Sequence, residues 1–212
     1  MECESRFKRI KRPCLCCGLP LDTGAYPVQL CGSCLFKPPP FTHIIAAFDY
    51  ADPLKTLITA FKYQARLSHG KVLSSFLLKR LLEFYRFRSL PALMIPMPLH
   101  KKRLRQRGFN QAMEIARYLS PALNIPVEYK RVLRQRHTQR QQGLDLKRRQ
   151  RNLRQAFSIL PKGGAFPERV AIVDDVVTTT ASVRSLSDLL LQNGVQEIHV
   201  WSLARTCKST AT

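Results

Sequence analysis

Asp174 and Asp175 stand side by side after the apolar run Val170–Val173, and Thr178, Thr179, Thr180 and Ser182 follow closely. Adjacent carboxylates repel unless a cation or a diol offsets their charge, so the pair suits a sugar diol or a magnesium ion. Beyond the hydroxyl-rich turn, Val183, Leu186, Leu189 and Leu190 recur at helical spacing. A helix therefore begins near Ala181 or Ser182, and the unpaired N–H groups at its start suit a phosphate. A strand buried on both faces, an acidic pair where it ends, a tight turn and a helix form a ligand-binding corner of an open parallel α/β sheet. An ordinary strand-to-helix turn with a capping Asp is the plainer alternative, and it needs only one acid.

A second group of residues has metal chemistry. Cys14 and Cys17 form one Cys-x-x-Cys pair, Cys31 and Cys34 another, with thirteen residues between them. Each pair puts two thiolates on one tight turn, and two turns complete a tetrahedral zinc site. Cys16 is the spare thiol of the first knuckle, and Gly18 and Gly32 supply permissive backbone beside cysteines. Buried reduced cysteines would be the alternative, but the segment is polar and Pro-rich. Four sulfurs leave no open position, so such a zinc is structural, not catalytic. Pro38-Pro39-Pro40 reads as a stiff linker after this module.

The third signal is charge. The 212 residues carry 35 Lys+Arg against 14 Asp+Glu, a net charge of +21. Residues 100–154 hold 16 of the basic and 3 of the acidic side chains. So local an excess calls for a polyanion, with nucleic acid first in line. Lys101, Lys102, Arg103, Arg105 and Arg107 lead into Gly108, where cations and backbone amides can converge on an anion. A solvated basic loop is the alternative for that stretch. Between Tyr129 and Arg154 few aromatics interleave the arginines, which favours tracking a phosphate backbone over stacking bases. Met1–Pro13 is charged and lacks the apolar segment of a signal peptide, and no run reaches the ~20 apolar residues of a membrane span. Seven cysteines, four of them in two pairs of metal-ligand spacing and Cys3 and Cys207 lone thiols, fit a reducing compartment. The expected location is the cytoplasm.

The elements that must position these groups follow from periodicity. Thr42–Tyr50 reads as a strand; Leu54, Leu57, Ile58 and Phe61 lie on one face of a helix whose end carries Lys62 and Tyr63. Lys62 on its own reads more as a solvated charge than as a ligand. A second helix is expected over Val72–Phe87, a buried strand over Ala92–Pro98, and a helix beginning after Gly108. A short strand ends near Tyr129, residues 130–145 form a loop beside the site, and 145–155 a helical turn. Phe157–Leu160 and Arg169–Val173 are strands, and Gln196–Leu203 closes the sheet after a helix with Gly194 as its C-cap. The five histidines lack partners at ligand spacing and are assigned no chemistry.

The acidic run resembles the phosphoribosyl-pyrophosphate (PRPP) signature of type I phosphoribosyltransferases. Cysteine knuckles, the Ile95-Pro96-Met97-Pro98 strand, Arg107-Gly108-Phe109-Asn110-Gln111 and the late acidic signature also occur in this order in the ComF/GntX family, the competence-protein-F group. Phe61, Lys62 and Tyr63 match the family pattern too, as do Gln141, Arg149 and Asn152. The resemblance implies an α/β chain: a type I phosphoribosyltransferase-like, open, mostly parallel sheet over residues 41–212, with a zinc-ribbon-like module and Pro-rich linker over 1–40. It gives Asp174 and Asp175 the ribose of PRPP, and Thr178, Thr179, Thr180, Ala181 and Ser182 its 5′-phosphate, with magnesium on the pyrophosphate. It implies handling of single-stranded DNA during natural transformation by Lys101, Lys102, Arg103, Arg105, Arg107 and Arg149, with competence or DNA-processing proteins as partners. The competing expectation is an active phosphoribosyltransferase that moves ribose 5-phosphate to an acceptor. One residue departs from the family: Thr180 replaces the usual Gly. A β-branched residue resists positive φ, at a cost of roughly 1–3 kcal/mol if the family conformation is kept.

Overall fold

A computed structural model describes residues 2–21, 29–135, 156–161 and 163–207. Short helices α1 (Glu2–Ser5) and α2 (Gly32–Phe36) belong to the N-terminal segment. The chain then forms β1 (His43–Asp49), α3 (Leu54–Tyr63), α4 (Leu67–Phe84), β2 (Leu93–Pro96), α5 (Lys101–Arg107) and α6 (Gln111–Leu123). After these come β3 (Val132–Arg134), β4 (Phe157–Ile159), β5 (Arg169–Val177), α7 (Ala181–Leu191) and β6 (Glu197–Arg205). The main sheet has the order β1-β6-β5-β2 with every pairing parallel, while β3 and β4 make a separate antiparallel pair.

Two apolar layers flank this sheet. Ala171, Val173, Trp201 and Leu203 meet Phe61, Leu77 and Ile115 from α3, α4 and α6 on one side. Val170, Ile172, Ile198 and Val200 meet Leu186 and Leu190 of α7 and Val132 and Phe157 of the β3–β4 pair on the other. Continuous apolar runs on the central strands follow from that double coverage.

Several boundaries differ from the sequence reading, among them β3 (Val132–Arg134), which lies where a loop over 130–145 is expected. Helix α4 starts at Leu67 rather than near Val72, because its first turn packs on α3: a Cβ on Gly70 would come 2.6 Å from the Phe61 ring. It ends at Phe84, where Tyr85 turns its hydroxyl to the Trp201 indole N–H at 3.0 Å. Strand β5 does not stop at Val173. It stays paired with β6 through Val177↔Arg205, so both carboxylates lie on the strand itself. The basic stretch before Gly108 is the helix α5, not a loop. His100 Nδ1 accepts from Lys102 N at its start, and Gly108 closes it at φ 78°, donating to Leu104 O at 2.8 Å. Arg105 and Arg107 fall in its last turn, where cations complement the helix dipole. Helix α7 is capped by Gln192, with Gly194 left-handed two residues beyond. The expected helical turn over 145–155 and most of the loop before it lie outside the described residues. Among the described residues, no helix is long and apolar enough to cross a membrane.

Candidate functional site

The C-terminal end of β5 carries the acidic pair. Asp175 is buried, and its Oδ1 accepts a hydrogen bond from Val176 N at 2.6 Å. The same oxygen lies 2.9 Å from Lys62 Nζ, whose side chain is 17% exposed. Lys62 is therefore an ion-pair partner rather than a solvated charge, delivered by the last turn of α3. Asp174 is half-buried and its Oδ1 accepts from Asp175 N at 2.8 Å. Loss of water, then the charge of Asp175, pushes the Asp174 carboxyl up to about 7, against the opposing pull of Lys62 and Arg134. The site thus holds one carboxylate already paired and one that gains from a cation, a proton or a diol.

Thr178 and Thr179 are exposed beyond the strand. Thr180 sits at φ 61°, ψ −1°, the left-handed conformation that glycine adopts freely. The backbone of the turn is therefore one a glycine would take, held here by a β-branched residue. Thr180 does not cap α7 with its hydroxyl; Oγ1 accepts from Arg184 Nε at 3.2 Å, and Thr180 O accepts from Arg184 N at 2.8 Å. Ala181 and Ser182 open α7, whose first-turn amides and dipole favour an anion.

Two stretches distant in sequence interlock beside the acidic pair. Arg107 Nη1 donates to Gln111 Oε1 at 3.0 Å, and Nη2 to Tyr63 Oη at 3.3 Å, with the guanidinium 4.9 Å from the Tyr63 ring centre. Gln111 Nε2 donates to Lys62 O at 3.3 Å, and Phe61 and Phe109 pack with ring centres 5.7 Å apart. Asn110 caps α6 by accepting from Ala112 N at 3.0 Å and donates to Met97 O at 3.1 Å. Arg107, Asn110 and Gln111 therefore bind α3, β2 and α6 together and orient Lys62. Lys101, Lys102 and Arg105 are exposed on α5, and no carboxylate among the described residues pairs with them. Arg103 is half-buried on the same helix, close enough to Arg134 for their charges to interact. Arg149, with Gln141 and Asn152, lies outside the described residues.

The four cysteines converge as their spacing requires. The sulfurs of Cys14, Cys17, Cys31 and Cys34 all lie within 4.8 Å of one another, and Cys17 and Cys31 Sγ are 3.6 Å apart. A tetrahedral ion with metal–sulfur bonds of ~2.3 Å would set sulfurs about 3.8 Å apart, so the donor set fits such an ion. Gly18 turns the first knuckle at φ 69°, where a Cβ would meet Ile44 O at 3.1 Å. Cys16 lies outside the cluster with its Sγ 3.5 Å from Phe41 O.

Sequence reasoning missed two arginines. Arg134, at the end of β3, acts on Asp174 through its charge and lies over the Phe157 ring at 5.4 Å; its three-residue strand is too short to stand out in a polar stretch. Arg205, 4% exposed, donates from Nε to Cys17 O at 3.0 Å and from Nη1 to Val177 O at 3.0 Å and to Thr178 O. No carboxylate among the described residues pairs with it. Its one clue was the run Ile198–Ala204 leading into a charged residue.

A parallel sheet with an acidic pair at a strand end, a turn into a helix and a four-cysteine cluster defines a type I phosphoribosyltransferase-like α/β protein. No protein-family model matches the chain. Among curated proteins it is 38% identical to competence protein F of Haemophilus influenzae over 208 residues, covering 96% of this chain and 90% of that one. DNA utilization protein YhgH of Escherichia coli is 38% identical over 207 residues, with 96% and 88% covered. Competence protein ComFC of Streptococcus pneumoniae is 26% identical over 161 residues, with 76% and 67% covered. The chain belongs to the competence protein F family. Similar solved structures include the purine phosphoribosyltransferase of Pyrococcus horikoshii, with a TM-score of 0.40 and 19% identity over 64% of this chain and 73% of that one. Another is the hypoxanthine phosphoribosyl transferase of Trypanosoma cruzi, at 0.44 and 14% over 67% and 76%.

Proposed function

We propose that this protein handles and internalises single-stranded DNA during natural transformation, in the cytoplasm, with a PRPP-type phosphosugar pocket at the β5–α7 turn. The observation that carries the reading is α5, an exposed helix whose Lys101, Lys102 and Arg105 have no acidic partner among the described residues. Unpaired cations of this density are neutralised best by a polyanion. The relatives, competence and DNA utilization proteins by name, support the same direction. In this reading residues 1–40 are a module held by structural zinc, and residues 41–212 the phosphoribosyltransferase-like domain. Asp174 and Asp175 would take the ribose diol, and Thr178–Ser182 the 5′-phosphate. Competence or DNA-processing proteins are the expected partners.

A test is the salt dependence of binding to an oligodeoxythymidylate. Each lost phosphate contact should reduce the log–log slope by about 0.7 for a single strand. Lys101→Ala, Lys102→Ala and Arg105→Ala together should therefore flatten it by about 2. An unchanged slope would take α5 out of the DNA path. These three residues are better probes than Arg107, whose loss would also disturb Gln111 and Tyr63.

The second reading, an active phosphoribosyltransferase with magnesium on the pyrophosphate, has its own support. The acidic pair is intact, Lys62 is fixed beside it, and Thr180 holds the glycine-like backbone of the turn. An enzyme of this kind needs no covalent nucleophile. The pair would hold the ring while cations offset charge on the departing pyrophosphate.

A further inference from the structure

Beside the acidic pair, between α5, the start of α6 and β3, lies an open groove of about 740 Å³. Phe109, Met113 and Val132 form part of its lining, and Leu104, Tyr129 and Leu133 remain 41%, 53% and 37% exposed around it. Exposed apolar groups gathered in one concave surface mark a binding site more often than chance exposure does. Its rim is cationic, with Lys101 from α5 and Arg134 from β3. Of the nearby acids, Glu114 is paired with Arg117 at 2.7 Å, and Glu128 accepts from the backbone amides of Lys130 and Arg131 at 2.8 and 3.1 Å. The ammonium of Lys130 lies 5.5 Å from the centre of the Tyr129 ring, so neighbouring residues offer an aromatic ring and a cation together.

A ligand that complements this groove is flat, apolar on its faces and anionic at its edge. We infer that the groove seats nucleobases of the single-stranded DNA whose phosphates follow α5, with Tyr129 as the stacking platform. This rests on the DNA-handling reading. A free nucleotide shares the chemistry, but the exposed Lys101, Lys102 and Arg105 of α5, with Lys130 beside Tyr129, are more cations than one phosphate needs. The volume also exceeds what a single base fills, as expected where a strand passes through rather than ends. Sequence patterning pointed to backbone tracking alone, because Tyr129 and Phe109 are twenty residues apart in the chain and meet in one groove only after folding.

The experiment compares a twelve-residue oligodeoxythymidylate with an abasic strand of equal length and charge, by fluorescence anisotropy at one near-physiological salt concentration. Stacking of a base on an aromatic side chain should give the base-bearing strand at least a fivefold preference. Tyr129→Ala should remove that preference and leave the salt slope unchanged, while Tyr129→Phe should keep it. On the unmodified chain, photo-crosslinking of an iodouracil-bearing strand should map to Tyr129, which makes the result independent of any variant's folding. Equal binding of both strands by the native chain, or a preference that survives Tyr129→Ala, overturns the groove and leaves DNA handling standing. Binding of neither strand overturns both. Full competition by thymidine monophosphate at micromolar concentration would replace the strand with a free nucleotide and overturn the assignment made here.

Discussion

Replacing Thr180 tests the central turn most directly, because its φ of 61° is a backbone state that an L residue resists. Holding a side-chain-bearing residue in the left-handed region costs about 1–2 kcal/mol. Glycine removes that cost but loses roughly 0.5–1 kcal/mol through the greater freedom of the unfolded chain. Both Thr180→Gly and Thr180→Ala delete the hydroxyl that accepts from Arg184 at 3.2 Å, so that loss cancels between them. The difference left is the cost of a Cβ. Gly should exceed Ala by about 0.5–1 kcal/mol, which for a chain of this size is a difference of about 1–4 °C in Tm.

Thermal melts followed by far-UV circular dichroism measure that difference. Alanine equal to or better than glycine would mean that position 180 is not left-handed in solution, and the account of the turn would fail. Calorimetric titration with magnesium-PRPP extends the test to function. Micromolar binding by the native chain would show that threonine does not disable the turn, and would bring the transferase reading level with DNA handling. Binding seen only in the glycine variant would leave a pocket that has lost its ligand.

The acidic pair gives a pH prediction. Desolvation first, and the charge of Asp175 second, push the Asp174 carboxyl of the folded chain up from its ordinary 3.8 to about 7. Between about pH 4 and pH 7 the folded chain keeps a proton that the unfolded chain releases, so this group makes stability fall as pH rises through that window. Urea midpoints at pH 5 and pH 8 should draw together in Asp174→Asn; a wider gap would reverse the sign and refute the assignment. If zinc fills the four-cysteine site, its chelation is expected to release residues 1–40 while the larger domain persists. Trp201 is fully buried in the domain core, so its near-UV signal should survive a chelator; its complete loss would mean one cooperative core.

Strand and helix types were legible because both central strands are apolar on two faces and the helices are amphipathic. The parallel sheet was legible in the continuous apolar run Val170–Val173, which calls for cover on both faces. The four sulfurs were readable from spacing, since Cys-x-x-Cys is a local constraint and the long-range step only pairs two such turns. Lys62 was not readable as a partner of Asp175: 113 residues separate them, and no local pattern distinguishes a paired lysine from a solvated one. Arg107 was legible as a cation beside a glycine; its contacts with Gln111 and Tyr63, which lie in other elements or turns, were not. The extension of β5 past Val173 was hidden because carboxylates are poor strand formers, and pairing with β6 overrides that preference.

Arg205 ties the four-cysteine segment to the β5–α7 turn. A buried guanidinium without a carboxylate is costly unless its donors are satisfied and nearby negative charge offsets it. Its hydrogen bonds go to Cys17 O on one side and to Val177 O and Thr178 O on the other, so one side chain spans the first cysteine knuckle and the root of the turn. Burial lowers the basicity of the Arg205 guanidinium, and negative charge on Cys17, Cys207 and Cys34 would oppose that effect. Four thiolates around a dication would carry net negative charge, and no carboxylate among the described residues supplies it here. Arg184 makes a second link, with its guanidinium 5.8 Å from the Phe41 ring centre and its Nε on Thr180. Phe41 O in turn lies 3.5 Å from Cys16 Sγ. Both links end on the turn and begin on the cysteine segment, so ordering of the cysteine cluster and the geometry of the turn are expected to rise and fall together. Hydrogen exchange at residues 178–182 should therefore quicken on chelation even where Trp201 stays protected. Unchanged exchange there would show that the two arginines fasten the segment without transmitting its state.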